Sequence, residues 1–304
     1  MSLRPAISTG TATPTIEGAG VHLHRAFGFQ DPKAHDPFLL FDDFRNDNPE
    51  AYYRGFPWHP HRGIETITYV LNGTVDHSDS LGNTGSLKAG DVQWMTAGSG
   101  IMHQEMPSGN SMGQMHGFQL WANLPGSLKM TSPRYQDVGA KEIPEIIDDD
   151  GTRVRVITGS FWGQTGPVDG IAAEPLYLDI SLPAGLRKAL KVDTYCNTFA
   201  YIFEGSGKFA DASDPQGVLL EKEVLGQELN IRDLSGNRTL VRFGTGDEIV
   251  VRAGPAGMRF LLVAGSPIRE PVAWHGPIVM NTQEELHQAF TDLRNNQFIK
   301  PQDH

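Results

Sequence analysis

Gly55-Phe56-Pro57-Trp58-His59-Pro60-His61-Arg62-Gly63-Ile64-Glu65 leads into Ile67-Thr68-Tyr69-Val70-Leu71-Asn72-Gly73, a β-branched and aromatic run closed by a glycine turn. The second half of the chain repeats the form in Phe199-Ala200-Tyr201-Ile202-Phe203-Glu204-Gly205. Farther on, Gly90-Asp91 precedes Ala97-Gly98, and Gly246-Asp247 precedes Ala253-Gly254 at the same spacing. Two matched pairs in the same order predict two copies of one β unit. The intervening loop is longer in the second copy, 205 to 246 against 73 to 90.

Other short apolar runs fit the same class: Phe38–Phe44, Asp91–Met95, Gly117–Ala122, Val154–Thr158, Leu176–Ser181, Glu248–Arg252 and Arg259–Val263. Gly, Pro, Asn or Asp usually bounds them, as in an antiparallel sandwich or barrel. The 34 glycines and 20 prolines of the 304 residues agree with many turns and few helices. Helical periodicity is clear only after Asn281-Thr282-Gln283-Glu284, which reads as a cap before Leu286, Phe290 and Leu293. One helix is expected over roughly 282–294, with a frayed tail after Phe298. The acidic stretch Lys141–Asp150 reads either as a domain junction or as a solvated loop.

Composition narrows the function classes. No window holds 18 uninterrupted apolar residues, and the N-terminus lacks a signal-peptide core, so a cytoplasmic protein with no membrane association is expected. Cys196 is the single cysteine, which excludes an intrachain disulfide and a thiolate zinc cluster. It is expected as a small buried hydrophobe. The net charge of −11 argues against direct nucleic-acid binding.

The eleven histidines pose the chemical question. On an extended strand, residues i and i+2 face one way, about 6.6–6.8 Å apart. His59-Pro60-His61 therefore puts two imidazoles on one face, and His103-Gln104-Glu105 an imidazole and a carboxylate. Facing one lumen, three nitrogens and one oxygen suit a first-row divalent metal with open positions. His22-Leu23-His24 has the same spacing without the glycine frame, and reads as a decoy on a solvated strand face.

The framed segments resemble the two motifs of the cupin superfamily. His-Pro-His-Arg-Gly (59–63), Gln-Trp-Met-Thr-Ala-Gly (93–98), His-Gln-Glu-Met-Pro (103–107), Phe118–Pro125 and Gly276–Asn281 together resemble the pirin family. That resemblance implies an all-β bicupin. Two jelly-roll barrels stand in tandem with a short C-terminal helix: a metal-binding barrel over 1–136 and a degenerate one over 137–304. It implies metal ligands at His59, His61, His103 and Glu105. It also implies activity like that of quercetin 2,3-dioxygenase on a small planar aromatic substrate and O2. The alternative it implies is a non-catalytic iron-binding regulator of a transcription factor or metabolic enzyme, with a protein partner.

Iron(II) is the first expectation from the donor set, with Mn, Ni, Co and Zn as alternatives. Glu105 is a candidate base for a substrate hydroxyl. Glu65, at an even offset from His61, is a candidate to face inward. Phe56, Trp58, Met95 and His116 are candidates for the pocket wall, with core packing or a structural hydrogen bond as the other reading. Aligning Gly205 on Gly73 and Gly246 on Gly90 puts Lys191, Asp193, Asn197, Arg259 and Leu261 opposite the acidic and metal-binding positions, so the second barrel is expected to hold no metal. A monomer is expected.

Overall fold

A computed structural model describes residues 2–210, 223–224, 227–228 and 235–300. The first barrel has two antiparallel sheets. One holds four strands in the order Phe56–His61, Ile101–Ser108, Thr74–Asp79, Thr84–Leu87. The other holds seven, in the order Arg134–Val138, Val92–Thr96, Ile64–Asn72, His116–Asn123, Phe38–Asp43, Val21–Phe27, Thr13–Glu17. Alternation is plainest in Ile101–Ser108, where every second side chain is buried.

The second barrel is one nine-stranded antiparallel sheet built on two long strands, Asn197–Phe209 and Glu248–Gly265. Their pairing slips between Ile202 and Glu204 and between Gly205 and Gly207. Such irregularities bend a strand and let one sheet wrap into a barrel.

The seven-stranded sheet packs against the second barrel. Phe41, Tyr69, Trp94 and Phe118 share one buried cluster with Tyr177, Phe199, Tyr201, Phe203, Leu261 and Val263. Ring pairs such as Phe41–Tyr201 at 4.8 Å and Phe118–Phe203 at 5.1 Å lie within this layer. Each buried aromatic there contributes roughly 1.5–3 kcal/mol. Two of the layer's three phenols donate across the seam, Tyr69 to Asp179 at 2.7 Å and Tyr201 to Asp43 at 3.0 Å. Inter-barrel packing thus consumes the outward face of the central strand Ile64–Asn72 and leaves its inward face to the lumen.

The ladder revises how the two copies align. Ile64–Asn72 and Asn197–Phe209 are equivalent central strands. The former's neighbour is Val92–Thr96, and the latter's is Thr239–Phe243. Gly246-Asp247 therefore matches the turn at 97–100, not Gly90-Asp91. The counterparts of the histidine-bearing strands are Arg187–Lys191 and the first half of Glu248–Gly265. Their buried side chains there are Leu190, Ile249 and Val251, part of an apolar core. A two-residue Gly-Asp match is a weak register mark; hydrogen-bond pairing sets the register.

The termini cross between the barrels. Ala6–Thr11 pairs with Thr239–Phe243 in the second sheet, and the buried Arg4 donates to the carbonyls of Gly246, Cys196 and Asp193. Arg134–Val138 still pairs in the first sheet, and the chain passes to the second through 139–144. Asp148–Gly151 lies in the turn of the hairpin that follows. A division at 136/137 therefore follows the sheets only approximately.

The C-terminal hairpin, Ala273–His275 with Ile278–Met280, and the helix Gln283–Arg294 pack beside the first barrel's Arg62. The helix starts as expected at Thr282, whose hydroxyl accepts from the Glu285 amide while the Glu285 side chain accepts from that of Thr282. Of the tail after Phe298, expected to fray, Ile299 packs on the helix cluster and Lys300 pairs with Asp292 at 2.9 Å, while residues 301–304 lie outside the described ones. Among the described residues, no helix is long and apolar enough to cross a membrane.

Candidate metal centre

The local backbone explains how the histidines meet. His59 and His61 alternate along Phe56–His61, and His103 stands directly opposite His59 on the antiparallel neighbour. The ring centroids of His59, His61 and His103 lie 4.4 to 4.9 Å apart. One nitrogen from each ring lies within 4.8 Å of the others.

Hydrogen bonds assign two of the tautomers. Nδ1–H of His59 donates to the Pro57 carbonyl at 2.9 Å, and Nδ1–H of His61 to the Pro277 carbonyl at 3.1 Å. Both Nε2 atoms are then left as lone pairs, only 3.0 Å apart. Neither ring nitrogen of His103 has a partner, though the residue is 1% exposed. Burial pushes all three rings below the usual histidine pKa, those of His61 and His103 strongly. They are neutral at pH 7. Facing lone pairs and an orphaned buried imidazole are costly without a cation between them, and carbonyl-held Nδ1–H groups are the usual support of metal-binding histidines. The three rings fit a divalent metal.

Glu105 stands slightly apart. The ladder is irregular between His103 and Glu105, and the carboxylate is not in the three-imidazole group. Its Oε1 lies 2.9 Å from the Thr68 hydroxyl, which also lies 2.6 Å from Oε1 of Gln119. The Thr68 hydroxyl donates its one proton to the carboxylate, and its contact with Gln119 is met when that amide donates to the Thr68 oxygen. Burial outweighs that bond, pushing the Glu105 carboxyl up to about 7.

His59, His61, Thr68, Glu105 and Gln119 line a cavity of about 430 Å³ with Leu23, Leu40, Phe44, Phe56 and Trp121. Arg25 lies in the wall, but its guanidinium is bidentate to Asp42 at 2.8 and 2.7 Å and reaches Glu17 at 2.8 Å. It offers no free charge to a ligand. Desolvation lifts the Asp42 carboxyl to about 6 despite that pairing.

Of the candidate wall residues, Phe56 lines the cavity. Trp58 does not, being half exposed at 50%. Met95 packs with Ile64, Ala97 and Ile101. Glu65 is buried but turned away, accepting from the Thr96 hydroxyl at 2.7 Å. Its parity with His61 fails because the left-handed turn at Gly63 (φ 77°) restarts the alternation. His116 sits at the inter-barrel seam, 3.8 Å from Asp43 and edge-on to Phe203. His22 is exposed, and His24 contacts Arg238 at 3.0 Å. Cys196 is half-buried against the second core rather than fully buried.

Sequence reasoning missed Thr68, Gln119, Trp121, Arg25 and Asp42. Alternation within their strands marks each as facing the lumen. It missed Pro277 as well, for which no local pattern exists.

This geometry has known counterparts. The Pirin profile matches residues 20–122, and the Pirin C-terminal cupin domain profile matches 177–299. A pirin-like protein of Caulobacter vibrioides is 42% identical, covering 98% of this chain and all of its own length. Human Pirin is 40% identical over 92% of this chain and 88% of its own. The crystal structure of a quercetin 2,3-dioxygenase from Acinetobacter baumannii superposes with a TM-score of 0.83 at 30% identity, covering 97% of this chain and 98% of that one. With two cupin barrels, a histidine cluster in the first and matches along nearly the whole length, the chain belongs to the pirin family.

Proposed function

We propose that the protein is a metal-dependent dioxygenase that opens the heterocyclic ring of a flavonol or a similar planar enol. One observation carries the reading: the imidazoles of His59, His61 and His103 converge, and His59, His61 and the Glu105 carboxyl line an apolar cavity. The related quercetin 2,3-dioxygenase from Acinetobacter baumannii supports the substrate class.

In this reading His59, His61 and His103 hold the metal, and Glu105 completes the set when its proton leaves. Iron(II) suits nitrogen and carboxylate donors with open positions, and it would supply Lewis acidity and access to O2. The protein supplies the rest. Apolar rings clasp a flat ligand and exclude water. Glu105 accepts the proton of the substrate hydroxyl as general base. Thr68 and Gln119 hold the carboxyl in place. The lining adds no unpaired cation, so an uncharged or singly ionised enol fits better than a phosphate or a carboxylic acid.

Metal-free protein would be loaded with Fe(II) under nitrogen, then given O2 and quercetin. Stoichiometric oxygen uptake with loss of flavonol absorbance, absent in His61→Ala, is the expected result. No uptake by fully iron-loaded protein overturns the enzymatic reading and leaves iron-dependent binding of a protein partner.

A further inference from the structure

The metal-bearing strands do not stand alone. His61 is oriented by the carbonyl of Pro277, in the C-terminal hairpin more than 200 residues away. The next residue, Arg62, is 1% exposed, and each of its three guanidinium nitrogens has a partner. Its Nε donates to the Ser99 carbonyl at 2.7 Å, in the turn that launches the strand bearing His103. One terminal nitrogen reaches Asp292 of the C-terminal helix at 2.9 Å, and the other the Phe298 carbonyl at 2.8 Å. Its guanidinium also lies 4.2 Å from the centroid of the Phe298 ring.

Around it the contacts repeat the theme. The Val279 amide donates to the Arg62 carbonyl at 3.1 Å. The buried Lys129 ammonium joins the carbonyls of Gly63 and Val279, at 2.9 and 3.1 Å. A Cβ at Gly100 would stand 2.7 Å from the Phe298 carbonyl oxygen, so that turn is shaped for the tail.

We infer that the C-terminal hairpin, helix and tail over 273–298 are a constituent of the metal centre: Pro277 and Arg62 act as positioning residues, and metal occupancy is coupled to docking of this segment. The inference rests on the reading of His59, His61 and His103 as metal ligands. A carbonyl that fixes the tautomer and ring plane of a ligand changes metal affinity typically 10–100-fold. Linkage is reciprocal, so metal must tighten the segment as much as the segment tightens metal.

Two measurements test this, both with Zn²⁺ as the probe on the full chain. The first is amide hydrogen exchange of the unaltered protein with and without zinc. Protection should rise over 278–298, reported by the Val279 and Gln297 amides, together with 56–61 and 101–105. Protection gained by the two strands alone overturns the coupling. No gain anywhere overturns the metal site itself, which separates the two failures. The second is zinc affinity by chelator competition in Asp292→Ala, with the milder Asp292→Asn as a companion should the former not fold. A 10–100-fold weaker affinity is expected, although Asp292 touches none of the three histidines. An affinity within twofold of the unaltered protein refutes the coupling.

Discussion

Gly63→Ala is the substitution that most sharply tests how the first barrel is closed. Gly63 ends the His-Pro-His-Arg segment in a left-handed conformation, φ 77°. An alanine there costs about 1 kcal/mol in backbone strain alone. Its Cβ would also overlap the carbonyl oxygen of Val279, a backbone atom of the C-terminal hairpin. The hairpin must then retreat. That breaks the Val279 amide bond to the Arg62 carbonyl and the Lys129 bond to the Val279 carbonyl, both 3.1 Å. At about 1 kcal/mol for each hydrogen bond, the total destabilisation is about 3 kcal/mol. For a cooperative unit of 150–250 residues this lowers Tm by about 6–12 °C. Calorimetry of the metal-free proteins measures it directly. A Tm within about 2 °C of the unaltered protein would mean that the turn yields without moving the hairpin, and the account of close packing at Gly63 would be wrong.

Glu105→Gln should retain bound metal on its three imidazoles yet lose about 100-fold or more in turnover of quercetin, the usual worth of a positioned base. Full activity in steady-state oxygen uptake would remove Glu105 from proton transfer. His116 tests a different mechanism. Burial depresses its pKa to about 4, so the stability it contributes as a neutral ring is present above about 6.5 and is lost as pH falls towards 4. His116→Gln should therefore gain about 2 kcal/mol relative to the unaltered protein between pH 7.5 and pH 4.5 in urea titrations. Parallel pH profiles for the two proteins would contradict the buried neutral assignment. Comparing the pair cancels the opposite slopes of Asp42 and Glu105, whose carboxyls burial raises to about 6 and about 7.

Local chemistry explains what was legible in the chain. His59-Pro60-His61 and His103-Gln104-Glu105 could be read because strand periodicity alone puts their side chains on shared faces. The helix at Gln283–Arg294 was legible because Thr282 and the apolar spacing after it are local signals. Strand content, the tandem repeat and the acidic charge are likewise properties of short windows or of the whole composition.

That Glu65 turns away from the lumen could not be read, because a parity argument does not survive a glycine turn. The equivalence of Gly246 with the turn at 97–100 depended on which strands pair across the sheet. Tertiary structure alone decided that Pro277 orients His61, that Arg62 ends on Asp292 and Phe298, and that Thr68 and Gln119 hold Glu105. Those contacts join residues separated by tens to hundreds of positions. Their cause is the closure of a barrel and the return of the C-terminus onto it, which no local periodicity encodes.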